Sequence, residues 1–148
     1  VRSRIGLSAK ALAVSALDCL VSLYIKEREK NRVDVIICDE CQFLTEKQVD
    51  ELKDIADLYD VPVLCFGLRA DFRTKLFPGS KRLFEIADSI SEIKSICRCG
   101  RKATVNARLD ADGKIEILGE QVCIGGNERY VGMCYRCYRE QIRKQELS

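Results

Sequence analysis

The stretch Val33-Asp34-Val35-Ile36-Ile37-Cys38-Asp39-Glu40-Cys41-Gln42-Phe43-Leu44 decides how this chain is read. A short, almost wholly apolar run rich in Val and Ile ends abruptly in two adjacent carboxylates. Such a run suits a strand covered on both faces, as in a parallel sheet. Acids at the carboxyl end of that strand lie where open α/β sheets hold their ligands. In phosphate-transferring folds one acid there can serve Mg2+ and another can take a proton from the attacking group. The usual companion, a glycine-rich GxxxxGK[ST] loop, does not occur in the sequence.

Downstream, Thr45-Glu46-Lys47-Gln48 has the form of a capping box and starts a helix with Val49, Leu52, Ile55, Ala56 and Tyr59 inward. Asp60 and Pro62 end it, and Val63-Leu64-Cys65-Phe66 reads as a second buried strand. Strand, helix and strand joined by short loops make the parallel crossover unit. Upstream, Ser15-Ala16-Leu17-Asp18 is a second capping box; the helix it opens carries Ala16, Cys19, Leu20 and Leu23 on one face. Phe72 to Ser80 reads as a loop containing Pro78-Gly79, Lys81 to Ala87 as a short helix, and Ile90 to Ile96 as a further strand.

From Cys97 onward Gly, Cys and charged residues dominate and no long apolar run appears. The expected division is therefore 1–94, nearly neutral, and 95–148, mildly basic. In the second part Asp110-Ala111-Asp112-Gly113 reads as a turn between two strands, and Tyr135 to Gln145 as a terminal basic helix.

The 148 residues suffice for one domain with a small appendage. No apolar run approaches the ~20 residues that cross a bilayer. The net charge of +2 argues for no particular partner. Histidine is absent, which excludes Ser-His and Cys-His nucleophilic sites and any His-ligated metal. Of nine cysteines, Cys19, Cys38 and Cys65 sit in apolar segments and read as small buried hydrophobes. An odd count without a secretory leader argues against a disulfide framework and for a reducing, cytoplasmic setting.

Two close pairs stand out, Cys97-Arg98-Cys99 and Cys134-Tyr135-Arg136-Cys137. Four thiolates close a tetrahedral Zn2+ site of the structural kind, with no open position for catalysis. Four unrelated thiols, or a redox pair, are the competing readings.

The loop Gly67-Leu68-Arg69-Ala70-Asp71-Phe72-Arg73-Thr74-Lys75-Leu76-Phe77 leaves the end of the second strand, over the same edge as Glu40. Two Phe in a polar loop either pin it to the core or sandwich a flat ring. Gln121 to Tyr130 carries the paired Gly125-Gly126, which mark either a turn or a close backbone approach to a ligand.

Taken together, the segments Ser3 to Leu7, Asp39-Glu40-Cys41-Gln42-Phe43, Gly67 to Arg73 with Leu76-Phe77 and Gly79-Ser80, Cys97 to Ala103, and Gly119 to Tyr130 resemble the zinc-containing, type II thymidine kinase family, closest to its bacterial members. The resemblance implies an α/β fold: a P-loop-kinase-like parallel sheet with a small C-terminal zinc-binding domain. It implies ATP-dependent phosphorylation of the 5′-hydroxyl of thymidine or deoxyuridine in nucleotide salvage. Glu40 would be the general base and Asp39 the holder of Mg2+ with ATP. Phe43, Leu68, Phe72, Phe77 and Tyr130 would wall the base pocket. A lasso closing over the pyrimidine would read it through backbone groups such as those of Cys123 and Gly125. Cys97, Cys99, Cys134 and Cys137 would hold structural zinc, and the assembly would be a homotetramer. The family's first strand and phosphate loop precede the segment matching Val1, so the expectation is a C-terminal portion with at most trace activity alone. Two other readings stand beside this one. One is a zinc-ribbon interaction or nucleic-acid module using Arg98, Arg101, Lys102, Arg136, Arg139 and Arg143; the other is a degenerate, non-catalytic relative.

Overall fold

In the computed structural model, which describes residue 6, residues 8–121 and residues 129–147, the expected crossover unit is present. Strand β1 (Ile36–Cys38) and strand β2 (Val63–Cys65) run parallel, with Ile36 opposite Val63 and Cys38 opposite Cys65. They follow helix α1 (Leu20–Arg28) and are joined through helix α2 (Glu46–Tyr59). The capping box of α2 forms in full. Gln48 N donates to Thr45 Oγ1 and Thr45 N to Gln48 Oε1, each at 3.1 Å. Asp60, left-handed at φ 54°, ends the helix. Val49, Leu52 and Ile55 are buried on the face the periodicity assigned them.

Helix α1 departs from expectation. Asp18 does accept from the amide (2.6 Å) and hydroxyl (2.8 Å) of Ser15, but this closes an isolated turn. Cys19 stays extended and the helix begins at Leu20, whose amide donates to Glu51 Oε2 of α2 at 2.6 Å. A carboxylate from another helix thus supplies the cap that the local sequence offered in the wrong place. Ala16 and Cys19 are exposed; Leu20 is buried and Leu23 packs against the core as expected, and Tyr24 joins them.

The sheet is covered on one side. Ile36, Cys38, Val63 and Cys65 pack toward Leu20, Tyr24, Leu52, Ile55 and Val61. Ile37 and Leu64 turn the other way and are exposed, at 66% and 48%. Among the described residues no element covers that face, so the two-sided burial expected of the run is met on one side only. Cys38 and Cys65, although on the covered face, are half-buried and not fully buried as expected.

Helix α3 (Pro78–Ile86) starts earlier than the expected Lys81 because Pro78 takes the first helical position, where its fixed φ and missing N–H cost nothing. Gly79 in that first turn lies against the 3-10 turn Cys41–Phe43: a Cβ there would meet the carbonyl oxygens of Cys41 at 2.6 Å and Leu44 at 2.7 Å.

The remainder forms two antiparallel pairs and a helix. Strand β3 (Ser95–Ile96) pairs with β4 (Lys102–Ala103), so the strand expected over Ile90 to Ile96 shrinks to its last two residues. Strand β5 (Val105–Leu109) pairs with β6 (Arg129–Met133), Val105 opposite Met133 and Leu109 opposite Arg129. The expected turn forms, with Asp110 Oδ1 accepting from the amides of Asp112 and Lys114. Beyond it the chain makes a single bridge, Leu109 to Ile115, and the true strand partner comes from β6. Helix α4 (Tyr135–Glu146) packs Tyr138 and Ile142 with Val105, Ala107 and Ile115 in a second buried cluster.

Candidate active site and metal centre

The acid pair sits immediately beyond β1. To turn there the chain places Glu40 in the left-handed region, φ 53° and ψ 36°. For a residue with a Cβ this conformation costs roughly 1–2 kcal/mol, and the surrounding hydrogen bonds offset it. Phe66 N donates to Cys38 O at 2.8 Å and Cys41 N to Phe66 O at 3.0 Å, strapping the turn to the end of β2. The Glu40 amide donates to Asp39 Oδ1 at 2.9 Å. Both acids are exposed at this strand end.

Gln42 is the residue that sequence reading passed over. It is 1% exposed, and its carboxamide links two elements. Nε2 donates to Glu40 Oε2 at 2.6 Å, while Oε1 accepts from the Leu68 amide at 3.0 Å. Gly67 has to lack a side chain here: a Cβ would stand 2.4 Å from Gln42 Oε1 and 2.7 Å from Cys41 Sγ. The only sequence signal was a Gln two residues after an acid at a strand end, which is uninformative until Leu68 is beside it.

The aromatic loop is organised from within by Asp71, 2% exposed. Its carboxylate accepts from the amides of Arg73 (2.9 Å) and Lys75 (2.8 Å), the Arg73 guanidinium (2.9 Å) and the side chain of Gln121 (3.2 Å). Ser80 Oγ donates to Leu68 O at 2.6 Å, fixing the loop's start to α3.

The site residues named from the sequence divide into groups. Glu40, Phe43, Leu68 and Phe77 come together: Gln42 joins Glu40 to Leu68, and the Phe43 and Phe77 rings meet edge-on with centroids 5.7 Å apart. Phe43 and Leu68 are exposed and Phe77 is buried. Phe72 is fully buried, with the Arg108 guanidinium 3.7 Å above its ring. Tyr130 lies exposed on β6, opposite Arg108. Cys123 and Gly125 fall outside the described residues.

Besides Gln121 on Asp71 and Arg108 over Phe72, the second part of the chain holds this loop through three more hydrogen bonds. Tyr138 Oη donates to Phe72 O at 3.0 Å, Arg69 Nη2 to Thr104 O at 3.0 Å, and Arg73 Nη1 to Gly119 O at 3.3 Å. Burial pushes the Tyr138 phenol above its usual range, so it remains a donor. Arg108, itself buried, pairs with Glu116 and donates to Glu120 O at 3.2 Å.

The cysteine quartet converges. The thiol sulfurs of Cys97, Cys99, Cys134 and Cys137 all lie within 4.8 Å of one another, with Cys99 and Cys134 at 3.6 Å. Tetrahedral thiolates with Zn–S near 2.3 Å stand about 3.8 Å apart, so the set fits zinc. The tight Cys97-Arg98-Cys99 spacing works because Gly100, left-handed at φ 81°, turns the chain back and its amide donates to Cys97 O. Cys134 caps α4, its sulfur accepting from Cys137 N at 3.5 Å. Amides at Cys99 and Cys134 draw the Cys97 thiol down to about 6, whereas sharing a hydrogen bond with Cys134 pushes Cys137 up to about 12. Such a divided set binds a cation by releasing protons.

Comparison with known proteins follows the same lines. The family model described as thymidine kinase matches residues 1–138. The thymidine kinase of Yersinia pseudotuberculosis is 50% identical over 143 residues, covering 97% of this chain and 73% of that protein. That of Escherichia coli K12 is 47% identical over 148 residues, covering 100% of this chain and 72% of that protein. That of Shewanella oneidensis is 46% identical over 142 residues, covering 96% and 74%. With a match running through the strand-end acids, the loop after β2 and all four clustered cysteines, the chain belongs to the thymidine kinase family of phosphotransferases.

Proposed function

We propose that the Glu40 carboxylate accepts the proton of the 5′-hydroxyl of thymidine or deoxyuridine as the γ-phosphate of ATP is transferred to it. The observation that carries this reading is the Gln42 amide on Glu40 Oε2 at 2.6 Å. It holds an exposed carboxylate in one orientation at the sheet edge, and its other end grips the loop that would meet the substrate. A base fixed in this way loses little freedom on reaching the transition state. Asp39, exposed beside it, offers hard carboxylate oxygens to Mg2+, whose charge would neutralise the transferring phosphoryl group.

Phe43, Leu68 and Phe77 give this edge an apolar wall suited to a pyrimidine, and Phe72 of the same loop would contribute to it. Tyr130, Cys123 and Gly125 would complete the enclosure as part of a lasso. Its start, Gln121, is tied to Asp71, and its end runs into β6. Zinc at Cys97, Cys99, Cys134 and Cys137 would act structurally, by fixing the segment that grips the loop. Residues 1–94 would then be the kinase core and 95–148 the zinc and lasso domain, in a homotetrameric, cytoplasmic enzyme. A nucleic-acid reading of the basic residues is weakened because Arg136 is paired with Glu140 at 2.7 Å.

The test is Glu40→Gln in the natural full-length polypeptide. Turnover with thymidine and MgATP should fall roughly 10²–10⁴-fold, while calorimetry shows thymidine affinity kept within a few-fold. An unchanged turnover would remove Glu40 from the mechanism.

A further inference from the structure

Besides the metal quartet, the chain brings three other thiols to one place. Cys38 and Cys65 are direct partners across the parallel pair, and side-by-side residues of adjacent strands stand about 4.8 Å apart. That separation lies inside the roughly 4.4–6.8 Å that a disulfide takes between its Cα atoms. Cys41 is brought back to the same spot by the hydrogen bond its amide donates to the carbonyl of Phe66, the residue after Cys65. The neighbouring Cys38 and Cys41 thiols push the Cys65 thiol up from its ordinary range, and all three are free thiols. Any one of them could be read as a small core hydrophobe. Three in mutual reach, with Cys38 and Cys65 half-buried and Cys38 and Cys41 flanking an exposed acid pair, form a chemical group.

We propose that Cys38 and Cys65 are a reversible oxidation site for two-electron thiol oxidants such as hydrogen peroxide, with Cys41 as the exchange partner. Cys38, which the structure leaves half-buried, attacks a peroxide oxygen as its thiolate. The O–O bond breaks, leaving Cys38 as a sulfenic acid and releasing hydroxide, which takes a proton and departs as water. The Cys65 sulfur then attacks the Cys38 sulfur. The S–S bond forms, the S–O bond breaks, and the second oxygen leaves as water with the Cys65 proton. Two thiols lose two protons and two electrons, and one peroxide becomes two waters. Cys65 is thereby a resolving thiol, which keeps Cys38 from passing on to the irreversible sulfinic acid. Cys41 can displace Cys38 from the bridge by thiol–disulfide exchange, since its amide is tied to Phe66 O beside Cys65. The bridge would join the two strand ends immediately before Asp39 and Phe66. Its formation does not depend on Glu40 being a base.

The test treats zinc-loaded protein with increasing hydrogen peroxide, blocks free thiols by alkylation, and maps tryptic peptides by mass spectrometry, with released zinc followed by a chromophoric chelator. The expected product is a peptide pair joining Cys65 to Cys38, or to Cys41 after exchange, lighter by two hydrogens. It should revert with dithiothreitol and appear before zinc is released. At the same dose Cys65→Ser should lose the bridge and accumulate sulfinic acid at Cys38. The wild-type map needs no variant, so a misfolded Cys65→Ser leaves the test decisive. Full alkylation of Cys38 and Cys65 with zinc retained would overturn the proposal. So would a bridge confined to Cys38 and Cys41, or a second zinc per chain held by these thiols.

Discussion

At Gly67 a single hydrogen atom decides whether the proposed base is held. The space a methyl group would need is taken by the Gln42 carboxamide oxygen, at 2.4 Å from the would-be Cβ. Gly67→Ala should therefore displace that carboxamide from both Glu40 and the Leu68 amide, costing about 1–3 kcal/mol for the polar groups left unpaired. In the full-length enzyme kcat should fall at least tenfold. A urea midpoint and kcat both unchanged would show that Gln42 does not position Glu40. The acid pair was legible in the sequence because abrupt carboxylates after a β-branched run are a local pattern. Gln42, Asp71 and Arg108 were not, because their significance is burial against residues far along the chain. An acid among Arg and Lys in a polar loop looks solvated until Gln121 closes over it.

At the scale of elements, α1 and α2 illustrate two ways to start a helix. For α2 the start was fully legible, since Thr45 and Gln48 satisfy each other within one turn. For α1 the same kind of signal at Ser15 was present but idle, and the working cap is Glu51, buried against Leu20 from α2. Glu51→Ala should lower stability by about 1–2 kcal/mol, read as a lower urea midpoint with faster amide exchange over Leu20 to Tyr24. Glu51→Gln keeps an acceptor and should recover part of the loss. If Glu51→Ala leaves midpoint and exchange alone, α1 begins on its own local signal. Helix α3 gives the intermediate case: a helix was legible from Lys81, but Pro78-Gly79 read as loop, and only the contact of Gly79 with the Cys41 and Leu44 carbonyls explains why the helix can lie so close.

Over the whole molecule, the four-cysteine centre and the aromatic loop are coupled. Cys134 caps α4, Tyr138 of the same helix holds the Phe72 carbonyl, and Thr104 holds Arg69. Zinc binding should therefore stabilise the loop as well as the segment from Cys97 to Cys137. Metal analysis should find one zinc per chain. Chelation should lower the thermal midpoint, speed proteolysis between Cys97 and Cys137, and raise amide exchange across Gly67 to Phe77. Less than half a zinc per chain with four titratable thiols would sink the metal assignment, and loop exchange unmoved by chelation would sink the coupling. By itself the sequence determined the strand–helix–strand unit, the acid pair at its edge and the identity of the four thiols. Each of these rests on residues close together in the chain, where periodicity, capping and spacing act directly. Only the tertiary structure decided where α1 starts, what orients Glu40, which aromatics are buried, and that Cys38, Cys41 and Cys65 meet. Those outcomes depend on which distant groups fill the remaining hydrogen bonds and space, and no local pattern encodes that.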